Sequence, residues 1–402
     1  MVASTGESLG LYISIPFCRS KCTYCNFASG VYPASEHARY VDRLVEDLHS
    51  ARSWAERLGA HLPRRVDTVY LGGGTPSLLA PELLTRLFAA LRAEFDVDTD
   101  AEITVEVAPG QLSDATLAAL VAAGINRVSL GVQSFIDPEA ATSGRLHNRA
   151  VALNEIKRLR AAGIANLNVD LIAGLSGQSF ASWEESLTVL ADCGVPHASI
   201  YMLEVDEESR LGREVLSGGA RYHAALVPGD DAIAQMYTMA IERLSRAGLE
   251  QYEISNFSRP GMASRHNLRY WQRRPYLGVG LDASSLLAER ETGAGRVLRT
   301  TTTDNLQQYL AGREPVECAW LEADKQHEEA WFLGLRLNAG VNLAELEREF
   351  GAARLAAARA MVARQMETGL LCSDGKTVQL TAKGRLLSNE VFQEFLGLVV
   401  ES

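Results

Sequence analysis

Six times before residue 210 the chain runs through a short apolar, β-rich segment, and stretches with helical spacing follow. The apolar runs are residues 11–15, 68–71, 103–107, 127–132, 166–172 and 198–203. The helical stretches are residues 36–58, 81–95, 114–123, 150–162, 182–193 and 231–247. Gly124, Gly163, Gly194 and Gly248 stand just after four of these helices, as left-handed C-terminal caps do. Strands alternating with helices imply parallel pairing and right-handed crossovers. Six units, where a closed barrel needs eight, predict an α/β fold built as a partial (β/α)6 TIM-like barrel. An open doubly wound sheet is the alternative.

From Thr300 the texture changes. Residues 300–305 are polar, and helical patterns then cover 325–337, 343–350 and 355–368, the last ending at Gly369. Residues 370–372 and 378–380 flank Asp374-Gly375 as a hairpin, and 383–396 read as a closing helix. The expectation is a barrel domain over residues 1–290 and a smaller C-terminal α+β domain, winged-helix-like, over 300–402. Winged helices often bind DNA. Here Glu345, Glu347, Glu349 and Glu367 offset the basic residues, and the whole chain carries 39 Lys+Arg against 50 Asp+Glu, a net charge of −11. A packing role and no nucleic-acid partner are therefore expected. No apolar run is long enough to span a bilayer, and the first ten residues lack the basic start and apolar core of a signal peptide. The expectation is a cytoplasmic protein without a transmembrane segment; peripheral membrane contact stays open.

Each of the six runs ends in an unusual motif, and in parallel β/α proteins the strand ends build the active site. After the first come Cys18, Cys22 and Cys25, three of six cysteines within eight residues. After the second comes Gly72-Gly73-Gly74-Thr75-Pro76, which is neither GxGxxG nor a P-loop. Glu106, Gln133, Arg145 and Asp170 lie at or just past later strand ends. Thiols crowded into one loop need a cation or cluster to neutralise their thiolates. Three thiolates suit a four-iron cube with one open iron. Zinc completed by a distant histidine is the second reading, and a zinc-stabilised interaction protein is the function it would imply. Glycines let backbone come close to a ligand, carboxylates and amides can hold an amino group or a ribose diol, and arginine can pair with a carboxylate.

These residues carry a resemblance. Cys18-x-x-x-Cys22-x-x-Cys25, with Tyr24 before the last cysteine, resembles the radical S-adenosylmethionine superfamily. The segments LYISIPFCRSKCTYCNF, YLGGGTPSLL, RVSLGVQSF, NVDLIAGLSGQ and YEISNFSRPGMASRHNLRYW resemble the oxygen-independent coproporphyrinogen III oxidase family, and within it a haem chaperone branch. The resemblance implies a partial (β/α)6 barrel and a [4Fe-4S] cluster on Cys18, Cys22 and Cys25. It implies S-adenosyl-L-methionine on Tyr12, Gly73, Gly74, Thr75, Glu106, Gln133, Arg145 and Asp170, with 5′-deoxyadenosyl radical chemistry when reduced.

One departure separates the branches. The oxidase pattern has a fourth cysteine two positions after the third; this chain has Phe27 there. The chaperone branch has C-N-F, read here as Cys25-Asn26-Phe27, and an H-N-x-x-Y-W segment, here His266 to Trp271. The resemblance thus implies haem as ligand and an unidentified acceptor protein, with His266 as axial ligand and Arg265, Arg269, Arg273 and Arg274 near the propionates. Oxidase activity on coproporphyrinogen, or another radical reaction on a tetrapyrrole, is the alternative. The sequence alone leaves turnover open. Ser14, Ala108, Ser176 and Ser284 stand where the family usually has other residues.

Overall fold

The structure is a computed structural model describing residues 8–290, 295–312 and 317–397. All six predicted strands form: β1 Leu9–Ile15, β2 Arg65–Gly73, β3 Asp96–Val107, β4 Arg127–Gln133, β5 Asn166–Ala173 and β6 His197–Met202. They pair in parallel in chain order. The predicted helices form within a few residues of their expected bounds, from Ala34–Leu58 to Asp230–Arg246. Gly124, Gly163, Gly194 and Gly248 all have positive φ, as the capping argument requires. Leu11, Ile13, Val69, Leu71, Val105, Val128, Leu130, Val169 and Ile200 are buried among the helices in one hydrophobic core. Alternate residues of the same strands point to the opposite face and are largely polar.

Six shorter strands extend this sheet: β7 Glu250–Gln251, β8 Asn256–Ser258, β9 Tyr276–Val279, β10 Ser284–Ala288, β11 Val297–Thr301 and β12 Glu317–Leu321. Among the described residues the order is β12-β11-β10-β9-β1-β2-β3-β4-β5-β6-β8-β7. β9 joins β1 in parallel, and β8 closes against β6 antiparallel. The barrel is thus incomplete, and its two ends are finished by antiparallel pairs. Because β11 and β12 belong to the large sheet, the polar turn near Thr300 is not where that sheet ends.

Beyond it, a second core gathers Trp331, Leu335, Phe350, Leu355, Val378 and Phe395. A three-stranded sheet of Val341–Asn342, Thr377–Leu380 and Leu371–Ser373 includes the expected hairpin. The closing helix is two helices, Ala382–Leu386 and Ser388–Gln393; Leu387 leaves helical geometry at φ −111° and ψ 29°. Residues 252–256 tie the module to the barrel: Asn338 N–H donates to Tyr252 O (3.0 Å), and Ile254 N–H to Arg336 O (3.2 Å). No helix among the described residues is long and apolar enough to cross a membrane.

Candidate functional site

A cavity of about 530 Å³ opens at the carboxyl ends of the barrel strands and reaches the C-terminal module. Cys18, Cys22 and Cys25 line it from one side, all free and half-buried. Their loop is held by its neighbours. Cys18 N–H donates to Gly30 O (2.8 Å), Thr23 N–H to Ser143 O (3.0 Å), and Leu211 N–H to Thr23 O (2.8 Å). Lys21 Nζ closes the loop on Phe27 O (2.6 Å) and Ser29 O (2.9 Å). Asn26 bonds Asp206, and Arg210 bonds the carbonyl of Lys21. Burial pushes the Cys18 thiol pKa up against the bonds from Ser29 and Thr75.

The donor set fits an iron–sulfur cluster. Among the described residues no three His, Cys, Asp or Glu side chains converge as they would on a single ion. On a four-iron cube each thiolate takes a different iron, so the thiols need no common centre. Structural zinc uses a closed tetrahedral set, which this loop does not present.

The glycines next to the loop serve packing first. Gly74 N–H donates to Ile15 O (2.8 Å) and Thr75 N–H to Phe17 O (2.7 Å). A Cβ on Gly74 would lie 2.8 Å from Phe17 O and 2.9 Å from Pro16 C. Gly73 has φ +102°, a conformation that favours glycine. These two residues lock β2 to the segment that leads into Cys18, and both still line the cavity.

Opposite the thiols sit the polar groups. Tyr70 Oη donates to Glu106 Oε1 (2.8 Å). Burial, aided by the charge of Asp170, pushes the Glu106 carboxyl up to about 7 against the opposing bonds from Tyr70 and Gly73. Ser129 Oγ and Asn168 Nδ2 donate to Asp170 at 3.0 and 2.7 Å, yet burial still raises its pKa. Arg145 Nη2 donates to Tyr24 Oη (3.0 Å). Burial works against its charge, but Tyr24, Cys22 and Asp170 outweigh that and hold it protonated. At Gln133 the backbone turns to φ +70°, strained for a side chain, where β4 slips register against β5. Two buried carboxylates with raised pKa beside a held cation are what a polar, charged ligand site needs.

Of the expected site residues, the cavity is lined by the three cysteines, Gly73, Gly74, Thr75, Glu106, Gln133, Arg145 and Asp170. Tyr12 is not among the lining residues; its ring lies 6.1 Å from that of Tyr70. Ala108 lines the cavity; Ser14, Ser176 and Ser284 do not. Phe27, at the position of the missing fourth thiol, is 63% exposed at the cavity's edge. Sequence reasoning missed Tyr70, Ser129 and Asn168, and named Tyr24 only as part of the cysteine motif. Period-2 alternation in β4, where Arg127, Ser129, Gly131 and Gln133 all face the cavity, is the signal that finds such residues.

The expectation for His266 needs correction. Its side chain is 1% exposed and does not line the cavity. Nδ1 lies 3.0 Å from Thr68 Oγ1 and Nε2 2.9 Å from Tyr270 Oη, so both ring nitrogens are used. Burial holds its pKa down at about 3. The four arginines are engaged as well: Arg269 and Arg274 on Asp67, Arg273 on Glu349, and Arg265 on the carbonyl of Asp100. The helix Arg265–Trp271 is a keystone against β1 and β2. In this arrangement it offers iron no nitrogen; only Asn267 reaches the cavity.

Comparison with known proteins identifies similar chains. The model of the radical SAM superfamily matches residues 12–190, and that of the HemN C-terminal domain matches 321–387. Heme chaperone HemW of Mycobacterium tuberculosis H37Rv is 35% identical over 98% of this chain and 96% of its own. Heme chaperone HemW of Escherichia coli K12 is 31% identical over 96% of this chain and 98% of its own. The solved structure of E. coli coproporphyrinogen III oxidase (HemN), described as a radical SAM enzyme, superposes with a TM-score of 0.82. It covers 99% of this chain and 92% of that one at 23% identity, a likeness of fold.

Proposed function

We propose that this chain, which belongs to the HemW family, is a haem chaperone that also holds a [4Fe-4S] cluster and S-adenosyl-L-methionine, and delivers haem to an acceptor protein. The observation that carries the reading is one cavity lined by three thiols, two carboxylates of raised pKa and a held arginine, with Phe27 where an oxidase would have a fourth thiol. Cys18, Cys22 and Cys25 would hold the cluster. Bound S-adenosyl-L-methionine would supply one-electron cleavage chemistry from its sulfonium. Arg145 is suited to the ligand's carboxylate, Glu106 to its amino group and Asp170 to its ribose diol. Phe27 presents an apolar face at the rim, where an apolar macrocycle can lie.

Anaerobic reconstitution tests the cluster part. About four iron and four sulfide per chain are expected, with loss of both in Cys22→Ala and retention in Cys193→Ala. S-adenosyl-L-methionine should alter the electron paramagnetic resonance signal of the reduced cluster. Full retention of cluster in Cys22→Ala, or stoichiometric zinc without sulfide, would contradict the reading.

A further inference from the structure

The cavity is also lined by two arginines that form no ion pair among the described residues. Arg127, at the start of β4, is 1% exposed and lines the cavity. Arg336, just past the helix Ala323–Gly334, lines it from the C-terminal module. The Nε of each is buried without a hydrogen-bond partner, and neither forms an ion pair among the described residues. Arg336 is held flat: its guanidinium lies 4.3 Å over the Trp271 ring and 5.9 Å from that of Phe392.

The groups around each cation do not pair it. Tyr70, His197, Tyr252 and His266 surround Arg127, and burial keeps both histidines neutral. Burial lowers the Arg336 pKa and the charges of Glu253 and Glu204 oppose that, though neither carboxylate forms an ion pair with it. Glu253 instead takes Asn256 and Ser255 N–H on Oε1, while its Oε2 is left without a partner. A buried guanidinium that pairs with no carboxylate is costly to keep charged. Two of them facing one cavity make a receptor for an anion that arrives with the ligand. The same cavity is lined by Asn267, Ile254, Leu386 and Leu387, mostly apolar. A flat apolar body with carboxylate arms matches that combination, because arginine pairs a carboxylate through two parallel bonds.

We propose that Arg127 and Arg336 receive the two carboxylate arms of a tetrapyrrole in the lobe of the cavity that they line. The proposal rests on the haem reading above and adds where the ligand's charged edge goes. It also gives the H-N-x-x-Y-W segment a part in binding: Trp271 orients Arg336, and Asn267 borders the lobe.

The test compares haem with its dimethyl ester, in which both carboxylates are blocked, by Soret titration of the anaerobically reconstituted full chain. The diacid should bind at least about tenfold more tightly, equivalent to ~1.4 kcal/mol. Arg336→Gln should reduce that preference at least about threefold (~0.7 kcal/mol at RT ln 3) while iron and sulfide content stays at the wild-type level. Arg336→Lys, which keeps the charge, should retain part of it. Equal affinity for haem and ester in the wild type, or an unchanged preference in Arg336→Gln, would overturn the proposal. Failure to bind either compound would remove the haem reading, and this proposal with it.

Discussion

Replacing Asp67 by Asn tests the reassignment of the H-N-x-x-Y-W helix to a structural role. The Arg269 side chain is fully buried and pairs with Asp67. Its remaining acceptors are neutral: Ser8 O at 2.9 Å, Pro275 O at 2.8 Å and Thr68 Oγ1 at 3.3 Å. Asp67→Asn keeps the shape and removes the charge, so the guanidinium is left buried and uncompensated, at a cost of about 3–5 kcal/mol. Arg274 also touches Asp67, at 3.2 Å, but its side chain is 42% exposed, so that pair adds only about 0–1 kcal/mol. Against a typical total stability of ~5–15 kcal/mol the loss is large. Urea unfolding should show a lower midpoint at unchanged slope.

The pH dependence carries a sign. Burial pushes the Asp67 carboxyl up, but the bond from Ser8 and the charges of Arg269 and Arg274 win, leaving it below its usual 3.8. A depressed folded pKa gives stability that is present above the unfolded value and lost as pH falls through the folded one. The gap between wild type and Asp67→Asn should therefore be full at neutral pH and shrink below the usual aspartate range. The double variant Asp67→Asn with Arg269→Met should recover part of the loss, since no charge remains buried. A loss under ~1 kcal/mol at pH 7 would refute the keystone role.

Other outcomes follow from the same contacts. Gly74→Ala would set a Cβ 2.8 Å from the Phe17 carbonyl oxygen; it should cost about 1–3 kcal/mol by overpacking and lower cluster content by shifting the segment before Cys18, as melting and iron assays would show. Arg145→Gln should weaken S-adenosyl-L-methionine binding by ~1.5–3 kcal/mol, read by calorimetry on the cluster-loaded protein. His266→Gln should flatten the acid limb of stability. The folded pKa of His266 is lowered from 6.5 to about 3, so the wild type loses stability as pH falls from 6.5 towards 3 because only the unfolded chain takes up that proton. An equally steep limb in the variant would contradict this.

The barrel was legible because its strands bury one face: Leu11, Val69, Val105 and Val169 alternate with inward residues and follow helical segments of ordinary length. The motif ends were legible because unusual residues recur at every strand end. The added strands were harder. β9 is four residues long and β7 two, too short for a periodic pattern, and their pairing depends on edges that close only in space. The glycines were noticed for a ligand, but the tight contact of Gly74 is to residues 15–17, a neighbour that β1–β2 pairing alone provides. His266 misled for a similar reason. The family resemblance alone offered it to iron, and Thr68 and Tyr270 occupy both its nitrogens once the helix docks on β2. Arg336 lies far from every motif in the chain and reaches the cavity only because residues 252–256 anchor the C-terminal module beside β8.

The central claim is that the cavity serves haem binding and transfer, without oxidative decarboxylation. The most direct measurement incubates the cluster-loaded protein anaerobically with S-adenosyl-L-methionine, reductant and coproporphyrinogen, and assays porphyrin products and haem stoichiometry on the same preparation. The account predicts about one haem per chain, seen as a Soret band, and neither harderoporphyrinogen nor protoporphyrinogen. Catalytic formation of either decarboxylated product, with no stoichiometric haem bound, would contradict it.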